Sequence, residues 1–170
     1  MRKFLDLLYG TSGALAALFM IACLAMVLAS VAGRLLGFNL RGSDAYAGYA
    51  MAAAGFLALA YTLKRGEHIR VTLVLERLGT QWRHRMELIA HAVALFFSGA
   101  FAWFSARLVY QSLTFNDISQ GNDATPLWIP QIAMALGAAV LFIALIDEFA
   151  LLLSGRKSRP DESAELKLME

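Results

Sequence analysis

The 170-residue sequence has little cysteine, little proline and little charge, and each scarcity excludes a class of protein. A single cysteine, Cys23, rules out an intrachain disulfide, a Cys-x-x-Cys redox pair and a cluster of thiolate metal ligands. With only three prolines, no long apolar stretch has the paired glycine and proline interruptions typical of transport helices. Nucleotide-binding motifs are also missing. The net charge of only +2 argues against nucleic acid as a partner.

Apolar residues, by contrast, are abundant. They make up 59% of the chain, above the roughly 45–50% of soluble domains. Four stretches reach the ~20 residues that a helix needs to cross ~30 Å of hydrocarbon. The first continues past Cys23 and is too long for the apolar core of a signal peptide. The sequence predicts an all-α integral membrane protein with four transmembrane helices in two hairpins, forming one domain over residues 1–170. The spans are expected at 7–33, 43–63, 86–113 and 127–153, and a charged tail follows at 154–170.

Between the hairpins lies an amphipathic connector over residues 69–84. At 3.6 residues per turn, its apolar residues fall on one stripe and most of its charged residues on the opposite side. The stripe contains Val71, Val74, Leu75, Leu78 and Trp82. This pattern is typical of a helix that lies in the membrane surface. Lys64, Arg65 and Trp128 occupy span ends, so we expect them to act as interfacial anchors.

The three histidines raise the question of a catalytic, metal or haem site. His68 is flanked by charged residues, and His84 and His91 are seven residues apart, but no clear third ligand accompanies them. We therefore favour a structural role for His68 over a ligand role. The sequence predicts no catalytic, cofactor-binding or metal-binding residue.

A few polar residues lie within or beside the spans. Arg107 is expected to extend its guanidinium toward the interface. For Asp147 and Glu148, near the end of the fourth span, a salt bridge or water contact is favoured over a proton path. Ser43 and Asp44 suit the start of a helix, where an oxygen and a negative charge both stabilise free N–H groups.

The distribution of basic residues predicts the orientation. Twelve of the fifteen lysines and arginines fall at the two termini or in the central connector: positions 2, 3, 64, 65, 70, 77, 83, 85, 156, 157, 159 and 167. Basic residues gather on the cytoplasmic side of membrane proteins. Both termini and the connector are therefore expected in the cytoplasm.

A short stretch that begins just before the connector and continues into it resembles a known family. Gly66, His68, Ile69 and Val71 fit a Gly-x-His-Ile-x-Val element, preceded by Lys64-Arg65 and by Gly55 in the second span. The beginning of the fourth span contributes Pro126, Trp128, Pro130 and Gly137. On these residues the chain resembles the small membrane subunit, DctQ, of the tripartite ATP-independent periplasmic (TRAP) transporters. It departs from the family at Gly42-Ser43-Asp44-Ala45 and at Thr72, where relatives often carry Trp with a Glu pair and Asp, respectively.

The resemblance implies a supporting subunit rather than an enzyme. It implies sodium-coupled uptake of an organic acid, such as a dicarboxylate or sialic acid, together with a large membrane subunit and a periplasmic substrate-binding protein. Membrane lipid is a further expected partner. The expected interface with the partner or the membrane comprises Gly66, His68, Ile69, Arg70, Val71, Val74, Leu75, Leu78 and Trp82. Two alternatives are a small four-helix membrane enzyme, redox or glutathione-using, and the small subunit of a tricarboxylate tripartite transporter.

Overall fold

Four long helices make up the part of the chain that the computed structural model describes, residues 2–38, 40–65, 80–121 and 123–154. They are α1 (Arg2–Leu36), α2 (Ser43–Arg65), α3 (Thr80–Phe115) and α4 (Trp128–Leu153). All four are long and apolar enough to cross a membrane. The predicted fold class, an all-α protein with four spans, is confirmed. Most of the predicted interfacial helix lies outside the described residues, and positions 80–84 belong to α3.

Local sequence signals set several helix ends. At Gly37 the backbone has φ +80°, and the Phe38 N–H donates to the Gly33 carbonyl at 2.9 Å. This bond closes α1 in the way typical of a helix that ends on a left-handed glycine. α2 begins at Ser43, with Asp44 in its first turn. Pro130 is the third residue of α4, where its missing N–H leaves no helical bond unmade.

The hairpins α1–α2 and α3–α4 pack together mainly through α2 and α4. Small residues allow this close approach. A Cβ added to Gly137 of α4 would lie 2.5 Å from the Phe56 carbonyl group of α2. Within the first hairpin, the Ser12 hydroxyl donates to the Leu57 carbonyl at 2.6 Å. Four alanines of the α2–α4 pair are at most 2% exposed: Ala54, Ala60, Ala138 and Ala144. Small residues are the usual means of helix packing in membranes, where hydrophobic burial does not drive association.

The outer helices are longer than the inner ones. At 1.5 Å per residue, α1 and α3 extend over ~52 and ~54 Å, compared with ~34 Å for α2 and ~39 Å for α4. Most large side chains of α1 and α3 face away from the bundle, including Leu18, Leu24, Phe96 and Trp103, each at least 59% exposed. These surfaces are available to lipid or to another membrane protein.

Candidate functional surfaces

An ion pair joins the two hairpins at the end of the bundle from which the chain termini emerge, here called the terminus end. Lys64 Nζ of α2 lies 2.5 Å from Asp147 Oδ2 of α4, and the two side chains are 28% and 23% exposed. The same ammonium is 5.3 Å from the ring centre of Tyr9, an α1 residue that is 2% exposed. Three helices thus meet at Lys64. The salt bridge favoured for Asp147 from the sequence is confirmed, while the neighbouring Glu148 is buried in the bundle.

A hydrogen-bonded cluster joins the hairpins at the opposite end, here called the loop end. The Tyr49 hydroxyl of α2 donates to Asp123 Oδ2 at 3.0 Å, and the Ser119 hydroxyl donates to Asp123 Oδ1 at 2.9 Å. Nearby, the Thr125 hydroxyl donates to the Tyr46 hydroxyl at 3.1 Å. The loop between α3 and α4 is therefore bonded to α2 through two tyrosines.

Gly42, in the connection between α1 and α2, reaches the same cluster. Its backbone has φ +79°, and an added Cβ would lie 2.9 Å from Asp123 Cβ. Glycine is needed at this position both for the left-handed conformation and for the close approach. Both connecting segments of the loop end consequently meet at Asp123.

The hydrogen bonds of this cluster change the acidity of Asp123. Partial desolvation favours the neutral acid, but bonds from Thr125, Ser119, the Asp123 backbone and Tyr49 favour the carboxylate more strongly. Together they lower the pKa of Asp123 from its ordinary value of 3.8 to about 2. The carboxylate is ionised at neutral pH and acts as the acceptor around which the cluster is arranged.

The predicted connector interface lies largely outside the described residues. Gly66, His68, Ile69, Arg70, Val71, Val74, Leu75 and Leu78 all fall in the segment 66–79. Trp82 is in the first turn of α3, 58% exposed, with the Arg85 guanidinium 5.6 Å from its ring centre. Among the expected anchors, the Arg65 guanidinium lies 4.9 Å from the Tyr61 ring centre and Trp128 is the first residue of α4.

His91 makes a local contact within α3. His91 Nδ1 lies 2.8 Å from the Glu87 carbonyl oxygen, one turn earlier in α3. Within the described ranges, no three His, Cys, Asp or Glu side chains converge as a set of metal ligands. The polar groups at the two ends hold helices together by hydrogen bonds and by ion pairs, Lys64–Asp147 at the terminus end and Arg34–Asp44 at the loop end.

Comparison with models of protein families identifies the family to which this chain belongs. Residues 23–155 match the family model for the DctQ component of the tripartite ATP-independent periplasmic transporters. The chain belongs to the DctQ family. A search among curated proteins gave no match.

The DctQ match extends from the middle of α1 to just beyond the end of α4. It confirms the resemblance carried by the Gly-x-His-Ile-x-Val element and the beginning of the fourth span. A DctQ protein is one component of a tripartite transporter, so it works with partner subunits, and its four spans make it a multi-pass membrane protein.

Sequence reasoning did not identify which residues pair with one another in the two sets of contacts that join the hairpins of this DctQ protein. Lys64 and Asp147 had a usable signal, because the predicted topology places both near the same membrane surface with opposite charges. Tyr49 had none, since it is an aromatic residue in an apolar span like many others. Its partner, Asp123, lies in the polar connection between the third and fourth predicted spans, and nothing in that local sequence indicates a contact with the second span.

We expect the loop-end cluster to make the protein sensitive to acid. Because the folded-state pKa of Asp123 lies below 3.8, its carboxylate stabilises the fold fully above about pH 4. This contribution is lost as the pH falls through about 2. Thermal unfolding of the detergent-solubilised chain between pH 2 and 6, followed by circular dichroism, should show Asp123→Asn less stable than the wild type above pH 4.

The difference between Asp123→Asn and the wild type should shrink toward pH 2. Tyr49→Phe removes one of the donors and should show a weaker pH dependence than the wild type over the same range. A difference between Asp123→Asn and the wild type that is constant from pH 2 to 6 would contradict the role assigned to the carboxylate.

Proposed function

We propose that the chain is a non-catalytic subunit that forms a fixed body beside the large membrane subunit of a TRAP transporter. In this role it supports sodium-coupled uptake of an organic acid, such as a dicarboxylate or sialic acid, which a periplasmic binding protein delivers. The large subunit carries the substrate and sodium sites. The small subunit widens the footprint of the complex in the bilayer and holds it in place while a transport domain moves.

The observation that carries this proposal is that the two hairpins are joined at both ends. The Lys64–Asp147 ion pair connects them at the terminus end, and the Tyr49–Asp123 hydrogen bond connects them at the loop end. Between these contacts, Gly137 brings the backbones of α2 and α4 together. A bundle fastened in this way resists the rearrangements that a transport domain undergoes, and so suits a stationary support.

The placement of charge supports the same function. In the described spans, the acidic and basic side chains lie near the helix ends, and the one farthest from them is Arg107, eight residues before the end of α3. Ion and substrate sites of secondary transporters lie near the bilayer midplane, on interrupted helices. The four helices of this chain are continuous, which favours a site located in another subunit.

The proposed orientation places both termini and the segment 66–79 in the cytoplasm and the loop end in the periplasm, in the inner membrane. It rests on the basic residues concentrated at the terminus end. The connector, with its stripe from Val71 to Trp82, then lies against the cytoplasmic membrane surface or the large subunit. Lys64, Arg65 and Trp128 remain the proposed interfacial anchors, with Lys64 also bound to Asp147.

Reconstitution into liposomes tests this function. The isolated chain should give no sodium-driven uptake of radiolabelled succinate or sialic acid. Liposomes that also contain the large subunit, supplied with the binding protein, should take up one of these acids when a sodium gradient is imposed. Uptake by the isolated chain, or full uptake when this chain is omitted, would overturn the supporting role.

A further inference from the structure

A groove between α3 and α4 near the loop end combines an arginine with an apolar lining. Its volume is about 470 Å³. Its lining includes Phe101, Phe104, Arg107, Leu108, Gln111 and Met134. Aromatic and aliphatic groups form most of the wall, and the guanidinium and the carboxamide supply hydrogen-bond donors. The composition suits a ligand with an apolar body and an anionic head.

The groove lies inside the membrane-spanning part of the hairpin. Arg107 is eight residues, or ~12 Å, before the last residue of α3. Met134 is six residues, or ~9 Å, after the first residue of α4. Both positions are thus about two helical turns below the loop that joins the helices. At this depth an arginine side chain reaches the headgroup region, and its apolar neighbours remain among acyl chains.

Arg107 receives no counter-charge from the described part of the chain. It is exposed, and it is absent from the ion pairs, which involve Arg34 with Asp44, Lys64 with Asp147, and Arg83 with Glu87. Of the carboxylates in the loop that follows α3, Asp123 already accepts bonds from Tyr49 and Ser119. A guanidinium that reaches the headgroup region lies among anionic phosphates, so an anion from outside the described chain is expected to pair with it.

The surrounding surface favours lipid over a protein helix. Where this chain packs helix against helix, the contacts are made by small residues, as at Gly137 and Ser12. Around Arg107 the side chains are bulky, and Phe104 and Tyr110 are 61% and 68% exposed. Flexible acyl chains fill the gaps between such side chains more readily than a rigid helix does.

We propose that this groove binds a phospholipid of the loop-end leaflet, with its phosphate on Arg107. The guanidinium fork matches a phosphate group through two parallel N–H···O bonds. Gln111 lies one turn nearer the membrane surface on the same face of α3 and donates a further bond to the headgroup. An acyl chain runs along Phe101, Leu108 and Met134. The site is independent of the supporting role in transport, since it requires only that the chain spans a membrane.

Native mass spectrometry of the purified full chain tests the site. The two probes are dioleoyl phosphatidylglycerol and dioleoylglycerol, which carry the same acyl chains, but only the first has an anionic phosphoglycerol headgroup. The wild type should retain the phospholipid and release the diacylglycerol. Arg107→Gln should weaken phospholipid binding about fivefold, as expected for the loss of one basic contact. Arg107→Lys should retain part of the affinity, because lysine keeps the charge but loses the fork.

Arg34→Gln is the matched control. Arg34 is another exposed arginine at the loop end, but it is paired with Asp44 and lies outside the groove, so its substitution should leave phospholipid binding unchanged. Leu108→Trp tests the apolar lining of the groove while Arg107 keeps its charge. The larger side chain should fill the groove and displace the lipid. Leu108 is 42% exposed, so the substitution does not disturb the bundle interior.

Two results would overturn the proposal. The first is equal phospholipid retention by the wild type, Arg107→Gln and Leu108→Trp. The second is an Arg107→Gln variant that keeps its lipid but no longer copurifies with the large membrane subunit. That outcome would assign the guanidinium to a carboxylate of the large subunit instead.

Discussion

Gly137→Ala is expected to destabilise the protein by about 3 kcal/mol, near the upper end of the cost of overpacking a well-packed interior. The added methyl group would lie 2.5 Å from the carbonyl carbon and oxygen of Phe56. Because these are backbone atoms of another helix, no side-chain rotation can relieve the contact, and α2 must move away from α4. The free energy of unfolding in mixed detergent micelles, from sodium dodecyl sulfate titration followed by circular dichroism, measures the loss.

Gly55→Ala provides the control for this substitution. Gly55 also lies within a span, on α2, but an added Cβ would meet no atom within 4 Å. In a helix interior, alanine is favoured over glycine by ~1 kcal/mol, so this variant should be as stable as the wild type or slightly more stable. Equal stability of the Gly137→Ala and Gly55→Ala variants would mean that α2 and α4 are not in close contact.

Lys64→Met should cost about 2–3 kcal/mol. The substitution leaves Asp147 without its ion-pair partner, and removing one member of a fully buried pair costs ~3–5 kcal/mol. Both side chains are about a quarter exposed, so water reduces the penalty. Contact with the Tyr9 ring is lost as well. The same unfolding titration measures the effect.

The double variant Lys64→Met with Asp147→Leu should recover most of this loss, because it removes both charges of the pair. Arg83→Gln is the matched single substitution. It breaks a more exposed pair with Glu87, four residues later on the same helix, and should cost only ~0.5 kcal/mol. If Lys64→Met were as mild as Arg83→Gln, Lys64 would be an interfacial anchor and not a contact between hairpins.

The four spans could be predicted because each is a contiguous run of apolar residues. Such a run is stable in the bilayer whatever the rest of the chain does. Helix ends were less predictable. The third span is expected at 86–113, yet α3 begins at Thr80, and α1 begins at Arg2 although its span is expected from residue 7. Apolar sequence marks the edge of the hydrocarbon, whereas a helix continues into water where polar pairs such as Arg83–Glu87 support it.

The contacts between hairpins were harder to predict for a different physical reason. Gly137 was noted in the sequence as a family feature, but its partner, Phe56, lies far away along the chain. Nothing in either local sequence determines which faces of the two helices meet. That choice depends on the steric fit of all four helices together. The ion pair was easier to predict, because two opposite charges can approach one another only when they lie at similar depths in the membrane.

The alanine-lined side of α2 has a consequence for biosynthesis. Because the hairpins join mainly through α2 and α4, this surface has no partner within the chain until the last span leaves the ribosome, roughly 90 residues after the end of α2. At ~5–20 residues per second, translation of that stretch takes about 5–20 s. The first hairpin therefore remains in the bilayer as a separate unit during this time. The bundle assembles late, when the two hairpins associate.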